Sequence, residues 1–248
     1  MVANVIAKAL VRLGVNDGDC VLAHTSLRSF GIKGMSPKYV IDSLRMAVGV
    51  GGTVVLPALS YTICNKNNRH FDYHTTPTCV GAVPEYFRTN YKNAVRSMCP
   101  THSCCAIGAR AEEIVSEHHL DDTPCGSHSP FAKVRDLGGK IIFFGCGTEP
   151  NTSMHAVEEL YTPDYLFGDI YEYEMTDADG NRYMQKCRAH NFERTVQRYD
   201  RLQELMPEGT VHVGRIFDCE TVVMDAKTVW QVAGEYYAKD SHYFVDTY

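Results

Sequence analysis

The chain has 248 residues, 44% of them hydrophobic and 22% charged, with a net charge of −6. That length supports one large α/β core or two small ones, and the composition is that of an ordinary globular protein. The negative balance and the absence of a Lys/Arg-rich block argue against a nucleic-acid partner, and no run of about 18 apolar residues is present to span a membrane.

Residues 2–13 read as an amphipathic helix without the basic region and long apolar core of a secretion signal. Cys20 to Ser26 reads as a buried strand that ends in polar residues. In open α/β sheets ligands sit beyond the carboxyl ends of strands, which puts His24, Thr25, Ser26 and Arg28 within reach of one. Ser36-Pro37 predicts a capped helix running to Val48. Gly51 to Pro57 is a second buried strand. Residues 60–79 form a long polar insert whose Lys66 and Arg69 could meet phosphates. A helix begins near Val80, residues 96–103 are irregular, and a short strand at Cys104 leads into a helical stretch at 108–116. Ser129-Pro130 starts a helix through Leu137.

Gly139 to Gly147 reads as a buried strand running into a glycine turn. Ser153 onward reads as a helix, with Thr152 or Ser153 as its cap. Helical spacing puts His155 and Glu158 on one side, a turn apart. A carboxylate so placed can fix an imidazole's tautomer and support it as a general base. Residues 169–188 alternate around Asp177–Gly180 as a β-hairpin. Residues 192–206 suit a charged surface helix, 209–218 a strand and 221–238 a final helix. These elements predict an α/β fold: one domain over residues 1–248, with a mixed central sheet flanked by helices and a late β-hairpin.

No Lys or Arg lies between Lys140 and Arg182, a span that holds nine carboxylates including Glu159, Asp164 and Asp169. Lining a cleft, such a block would concentrate a cationic substrate; otherwise it is a solvated face. The dinucleotide, P-loop and Gly-x-Ser-x-Gly signatures are absent. None of the ten cysteines has Cys-x-x-Cys spacing, so they read as reduced thiols of a cytoplasmic protein, and no metal is expected. His70 and His74 lie in Asn- and Thr-Pro-rich surroundings that disfavour a metal-binding helix. Cys99 or Cys125 paired with His155 is a minor, thiol-nucleophile reading.

Several motifs together resemble the aminoglycoside N3-acetyltransferase family. They are His24-Thr-Ser-Leu27-Arg28-Ser-Phe30-Gly, Gly51-Gly-Thr-Val-Val-Leu-Pro57, Phe71-Asp72 with Thr76-Pro77, Arg96-Ser97 with His102-Ser103, Ser129-Pro130-Phe131, and Asn151-Thr-Ser-Met-His155-Ala-Val-Glu158. The resemblance implies an enzyme of antibiotic resistance that transfers acetyl directly from acetyl-CoA to an amine. His155 would be the base and Glu158 its support. It further implies that His24, Thr25, Ser26, Leu27, Arg28, Phe30, His102 and Ser103 contact the cofactor, with Thr25, Ser26 or Ser103 at the oxyanion. Asp72, Glu159, Asp164 and Asp169 would face a cationic small-molecule amine, and a homodimer is compatible with this reading. Cys99-Pro100 departs from the family's His-Pro, and the region after Asp164 is compressed and Tyr-rich. A biosynthetic amine as acceptor, or a CoA-binding protein without catalysis, are the alternatives.

Overall fold

The computed structural model describes residues 1–248. In chain order the elements are α1 (Val2–Arg12), β1 (Cys20–Thr25), α2 (Pro37–Val48), β2 (Thr53–Pro57), β3 (His70–Asp72), α3 (Ala82–Asn90), β4 (Val95–Arg96), β5 (Cys104–Gly108), α4 (Ala111–Val115) and α5 (Pro130–Asp136). They continue as β6 (Lys140–Phe144), α6 (Ser153–Tyr161), β7 (Phe167–Thr176), β8 (Arg182–His190), β9 (Thr195–Gln197), α7 (Leu202–Leu205), β10 (Val211–Ile216), β11 (Cys219–Asp225), α8 (Ala226–Tyr237) and β12 (Val245–Thr247). Seven strands form a mixed sheet in the order β10-β11-β6-β1-β2-β5-β4. Its centre, β6-β1-β2, is parallel, and β11 and β5 flank it antiparallel.

Strand side chains alternate between faces, and here both faces are covered. Cys20, Leu22, Val55, Ile141 and Phe143 pack on one side with α4, α5, α6 and α8. Val21, Ala23, Val54, Ile142 and Phe144 pack on the other with α1, α2 and α3. This is why the central strands are continuous apolar runs. Each fully buried Val, Leu, Ile or Phe contributes roughly 1.5–3 kcal/mol. Helix starts follow local chemistry: Ser36 Oγ accepts from Lys38 N at 3.3 Å, and Ser129 Oγ from Ala132 N at 3.4 Å, each with proline next.

The predicted hairpin forms as β7 and β8, with Asp177 Oδ1 accepting from Asp179 N and Asn181 N at 2.9 and 2.8 Å. Inside the 60–79 insert, β3 joins this hairpin as a parallel strand beside β7. Phe71, Tyr173, Met175, Cys64 and Cys187 make a third, small core there.

Three segments differ from expectation. Residues 192–206 are not one helix. β9 pairs with the C-terminal β12, a 3-10 turn follows at Tyr199–Arg201, and only Leu202–Leu205 is α-helical. The charged pattern that suggested a helix instead ties the turn to the chain terminus, where Arg198 and Arg201 both reach Asp246. The start of the supposed final helix is strand β11: β-branched Thr221, Val222 and Val223 extend the sheet beside β6, and Asp225 caps α8 through Thr228 N at 2.8 Å. The helical stretch expected at 108–116 shortens to α4, because Cys104–Gly108 continues as strand beside β2.

Candidate active site

A cleft of about 1040 Å³ opens past the carboxyl ends of β1, β2 and β6, lined there by His24, Thr25, Pro57 and Cys146. Gly145 shapes this end of the sheet: its φ is +60°, and a Cβ on it would come within 1.8 Å of Ser29 Oγ. The strand can therefore turn closely under the Ser26–Ser29 loop and release the chain toward α6.

α6 delivers His155 to the cleft and buries Glu158 completely. Its start is held by Asn151, whose Oδ1 accepts from Ser153 N at 3.2 Å; Thr152 makes no side-chain cap, and Ser153 Oγ instead accepts from Trp230 Nε1 at 2.8 Å. One turn along, His155 Nδ1 lies 3.0 Å from Glu158 Oε2. Tyr199 donates its hydroxyl to the same oxygen at 2.7 Å, and Tyr165 donates to Oε1 at 2.8 Å. Burial raises a carboxyl's pKa, but the His155 contact and the two phenols outweigh it and hold Glu158 below the ordinary glutamate range. An anion at Oε2 keeps the proton of His155 on Nδ1. The lone pair is then on Nε2, the nitrogen with no protein partner.

Other aromatic groups frame this imidazole. Phe192 stacks on it at 5.1 Å between centroids, and His102 and His190 stand edge-on or tilted at 5.8 and 5.1 Å. His190 Nε2 pairs with Glu159 Oε1 at 2.8 Å, and Glu159 also accepts from Thr123 Oγ1 at 2.5 Å and Cys125 N at 2.8 Å. Burial pushes Glu159 up to about 7 and His190 down to about 3. At the end of β1, His24 stacks on Phe143 at 5.2 Å, and burial lowers its pKa to about 3. His24 Nε2 and Thr25 Oγ1 are both buried without a protein hydrogen bond, an arrangement that costs about 1–3 kcal/mol per group unless a ligand answers it. The charged residues of the lining are Glu149, Asp169 and Glu193 against Lys66, so the cleft is net acidic.

Of the residues singled out in the sequence, His24, Thr25, Lys66, His102, His155 and Asp169 line the cleft. Glu158 stands directly behind His155. Ser26, Leu27, Arg28 and Phe30 do not line it: Leu27–Phe30 is a 3-10 turn, Phe30 is core against Phe144, and Arg28 is exposed. Ser103 Oγ is spent on Ala58 O and Arg96 Nε. Asp72 caps its own turn through His74 N and Thr75 N, and Asp164 is exposed beside His242. Glu159 is walled off behind His190. Tyr199, Tyr165, His190 and Phe192 were not singled out as site residues. For Tyr165 the Tyr-rich stretch was a signal; for the others the sequence carries none.

An imidazole held by a buried carboxylate in an acid-lined cleft is compatible with group-transfer chemistry. Comparison with known proteins identifies the kind. The profile described as "Aminoglycoside 3-N-acetyltransferase" matches residues 22–238. The aminoglycoside N(3)-acetyltransferase VII of Streptomyces paromomycinus is 31% identical over 223 residues, covering 83% of this chain and 75% of the relative. A crystal structure of an aminoglycoside acetyltransferase AAC(3)-IVa mutant in complex with a gentamicin superposes with a TM-score of 0.80 at 25% identity, covering 96% of this chain and 89% of that one. A structure of AAC-IIIb in binary complex with CoASH shares the fold, with a TM-score of 0.81 at 24% identity over 96% of this chain and 97% of that one. The protein is an acyltransferase. It belongs to the aminoglycoside 3-N-acetyltransferase family.

Proposed function

We propose that this chain transfers the acetyl group of acetyl-CoA directly to an amine at the 3-N position of an aminoglycoside, with His155 as general base. The observation that carries the reading is the Glu158–His155 pair, whose one unpartnered ring nitrogen belongs to a cleft lined by three carboxylates and one lysine. Family membership supports the reaction class. The gentamicin and CoASH complexes of structural neighbours support the two substrates.

The proposed steps are these. An acceptor carrying several ammonium groups is drawn to Glu149, Asp169 and Glu193. His155 Nε2 removes a proton from the reacting amine, whose nitrogen then bonds to the thioester carbonyl carbon. The carbonyl oxygen becomes an oxyanion within reach of donors at the end of β1, where Thr25 Oγ1 has no protein partner. Collapse breaks the carbon–sulfur bond, and the imidazolium returns its proton to the leaving thiolate. Glu158 and Tyr199 hold the ring still and balance its charge when it is protonated. A positioned base of this kind is worth roughly 10²–10⁴ in rate.

The test is acetyl transfer to a panel of aminoglycosides read by product mass, so that the protein's own thiols do not interfere. One added acetyl group per product, abolished by His155→Ala in a folded protein, is the expected result. Binding of acetyl-CoA with no aminoglycoside acetylated would move the acceptor to a non-antibiotic amine. Full activity in His155→Ala would remove the base from the proposal.

A further inference from the structure

Three of the four imidazoles that line the cleft do more than surround one another. One ring nitrogen from each of His102, His155 and His190 falls within 4.8 Å of the others. Their centroids are 5.1, 5.1 and 5.8 Å apart. Imidazoles bound at about 2.0–2.1 Å to one tetrahedral zinc have centroids about 5 Å apart. The three rings are therefore near a coordinating arrangement, and their ligand nitrogens would draw together to about 3.4 Å on one ion.

Each ring also has one nitrogen already held by an oxygen. His102 Nδ1 meets Thr101 Oγ1 at 2.9 Å, His155 Nδ1 meets Glu158 Oε2 at 3.0 Å, and His190 Nε2 meets Glu159 Oε1 at 2.8 Å. This leaves His102 Nε2, His155 Nε2 and His190 Nδ1 for the common point. His190 Nδ1 is buried without a hydrogen-bond partner, on a side chain only 5% exposed. Carboxylates behind two of three metal-binding histidines are the usual outer partners of such ligands, because they fix the tautomer and raise ring basicity. No carboxylate oxygen belongs to the set, which selects a zinc-class ion over magnesium or calcium.

We infer that His102, His155 and His190 form a binding site for one zinc-class divalent ion, and that occupancy blocks the enzyme by taking the Nε2 lone pair of its base. The blocking part rests on the proposed role of His155; the binding part does not. The fourth position of the ion opens to the cleft, so an amine substrate and the ion compete for the same space.

The experiment is a Co²⁺ titration of the full-length, chelator-treated protein, followed by visible spectroscopy. One equivalent of Co²⁺ should produce the strong d–d bands of a tetrahedral site, without the near-ultraviolet charge transfer of a cobalt–thiolate. Zn²⁺ should abolish the bands, and His102→Gln and His190→Gln should each weaken binding at least about 10-fold. The ten cysteines are the rival ligands, and the wild-type spectrum alone distinguishes them even if a variant fails to fold. No d–d bands, or thiolate bands that persist in both variants, would overturn the site. In parallel, Zn²⁺ should inhibit acetyl transfer in proportion to occupancy. Undiminished transfer at full occupancy would overturn the claim that the ion holds the base. A protein that binds Co²⁺ as described yet acetylates no amine would support the site while removing the proposed activity.

Discussion

The Tyr199 hydroxyl lies 2.7 Å from Glu158 Oε2 and 2.8 Å from His155 Nδ1, although 41 and 44 residues of chain separate it from them. It is held there by the end of the chain. β12 pairs with β9 just before it, Arg198 N donates to Phe244 O at 2.8 Å, and the Arg201 guanidinium donates to Tyr243 O at 2.7 Å. Burial and the neighbouring Glu158 push the Tyr199 phenol well above its ordinary pKa, so it stays a donor throughout the working range.

Tyr199→Phe keeps the ring and deletes one donor to a buried anion. A hydrogen bond to a charged group contributes about 1.5–3 kcal/mol to stability. The loss should appear as a lower Tm. The less constrained His155 should lower kcat about 10- to 100-fold, in the range of lost outer-sphere partners, with little change in KM. Steady-state kinetics beside thermal melting will separate the two effects. A folded variant with unchanged kcat would show that Tyr199 is only structural.

Glu158→Gln preserves volume and removes the charge. Both carboxylate oxygens accept, Oε2 from His155 and Tyr199 and Oε1 from Tyr165. An amide has one acceptor oxygen, so its NH₂ must face a donor on one side or the other. Turned toward His155, it donates to Nδ1 and sends the ring proton to Nε2, which would silence the proposed base. Acetyl transfer should fall about 10²–10⁴-fold while the acetyl-CoA Kd stays near wild type. Product mass for the first and calorimetry for the second will check this.

The central layers were legible because their causes are local. The apolar runs in Cys20–Thr25 and Lys140–Phe144, the Ser36-Pro37 and Ser129-Pro130 starts and the i, i+3 spacing of His155 and Glu158 depend on neighbours in sequence. Tyr199 was not legible, because it is placed by the pairing of β9 with the distant β12; His190 was not, because the local pattern that marks the β7–β8 hairpin does not show what the end of the hairpin packs against. The acidic run failed as a unit for a geometric reason. Successive helical residues point about 100° apart, so Glu158 supports His155 while Glu159 turns to His190 and the Thr123–Cys125 loop. Only Asp169, among the three acidic residues picked from that run for substrate, lines the cleft.

A pH dependence of stability should be readable at Glu85. It receives Thr78 N at 2.9 Å and pairs with Arg88 at 2.6 and 3.0 Å, tying the insert to α3. Partial burial raises its pKa, but Arg88 and the Thr78 amide outweigh it and hold it below the ordinary value. A depressed carboxyl pKa means the unfolded chain takes up the proton first as pH falls. Its contribution is therefore complete above about pH 4.3, the unfolded glutamate value, and is lost as pH drops through the lower folded value. The Tm gap between wild type and Glu85→Gln should be constant from pH 7 to about 5 and close on further acidification. A gap that widens toward acid would contradict this sign.

The acid lining makes a separate kinetic claim. Glu149 and Glu193 are exposed beside Asp169 on the cleft, so their attraction for a cation acts through water and is screened over about 10 Å at 0.1 M salt. Glu149→Gln, Asp169→Asn and Glu193→Gln together should raise the KM for a multiply charged aminoglycoside several-fold at low salt and leave kcat within about two-fold. Wild-type KM should rise with ionic strength toward that of the triple variant, since salt and neutralisation remove the same interaction. Measuring KM across a salt series in both proteins decides it. Parallel lines for the two would mean that these carboxylates do not face the acceptor, and that its ammonium groups are read elsewhere in the cleft.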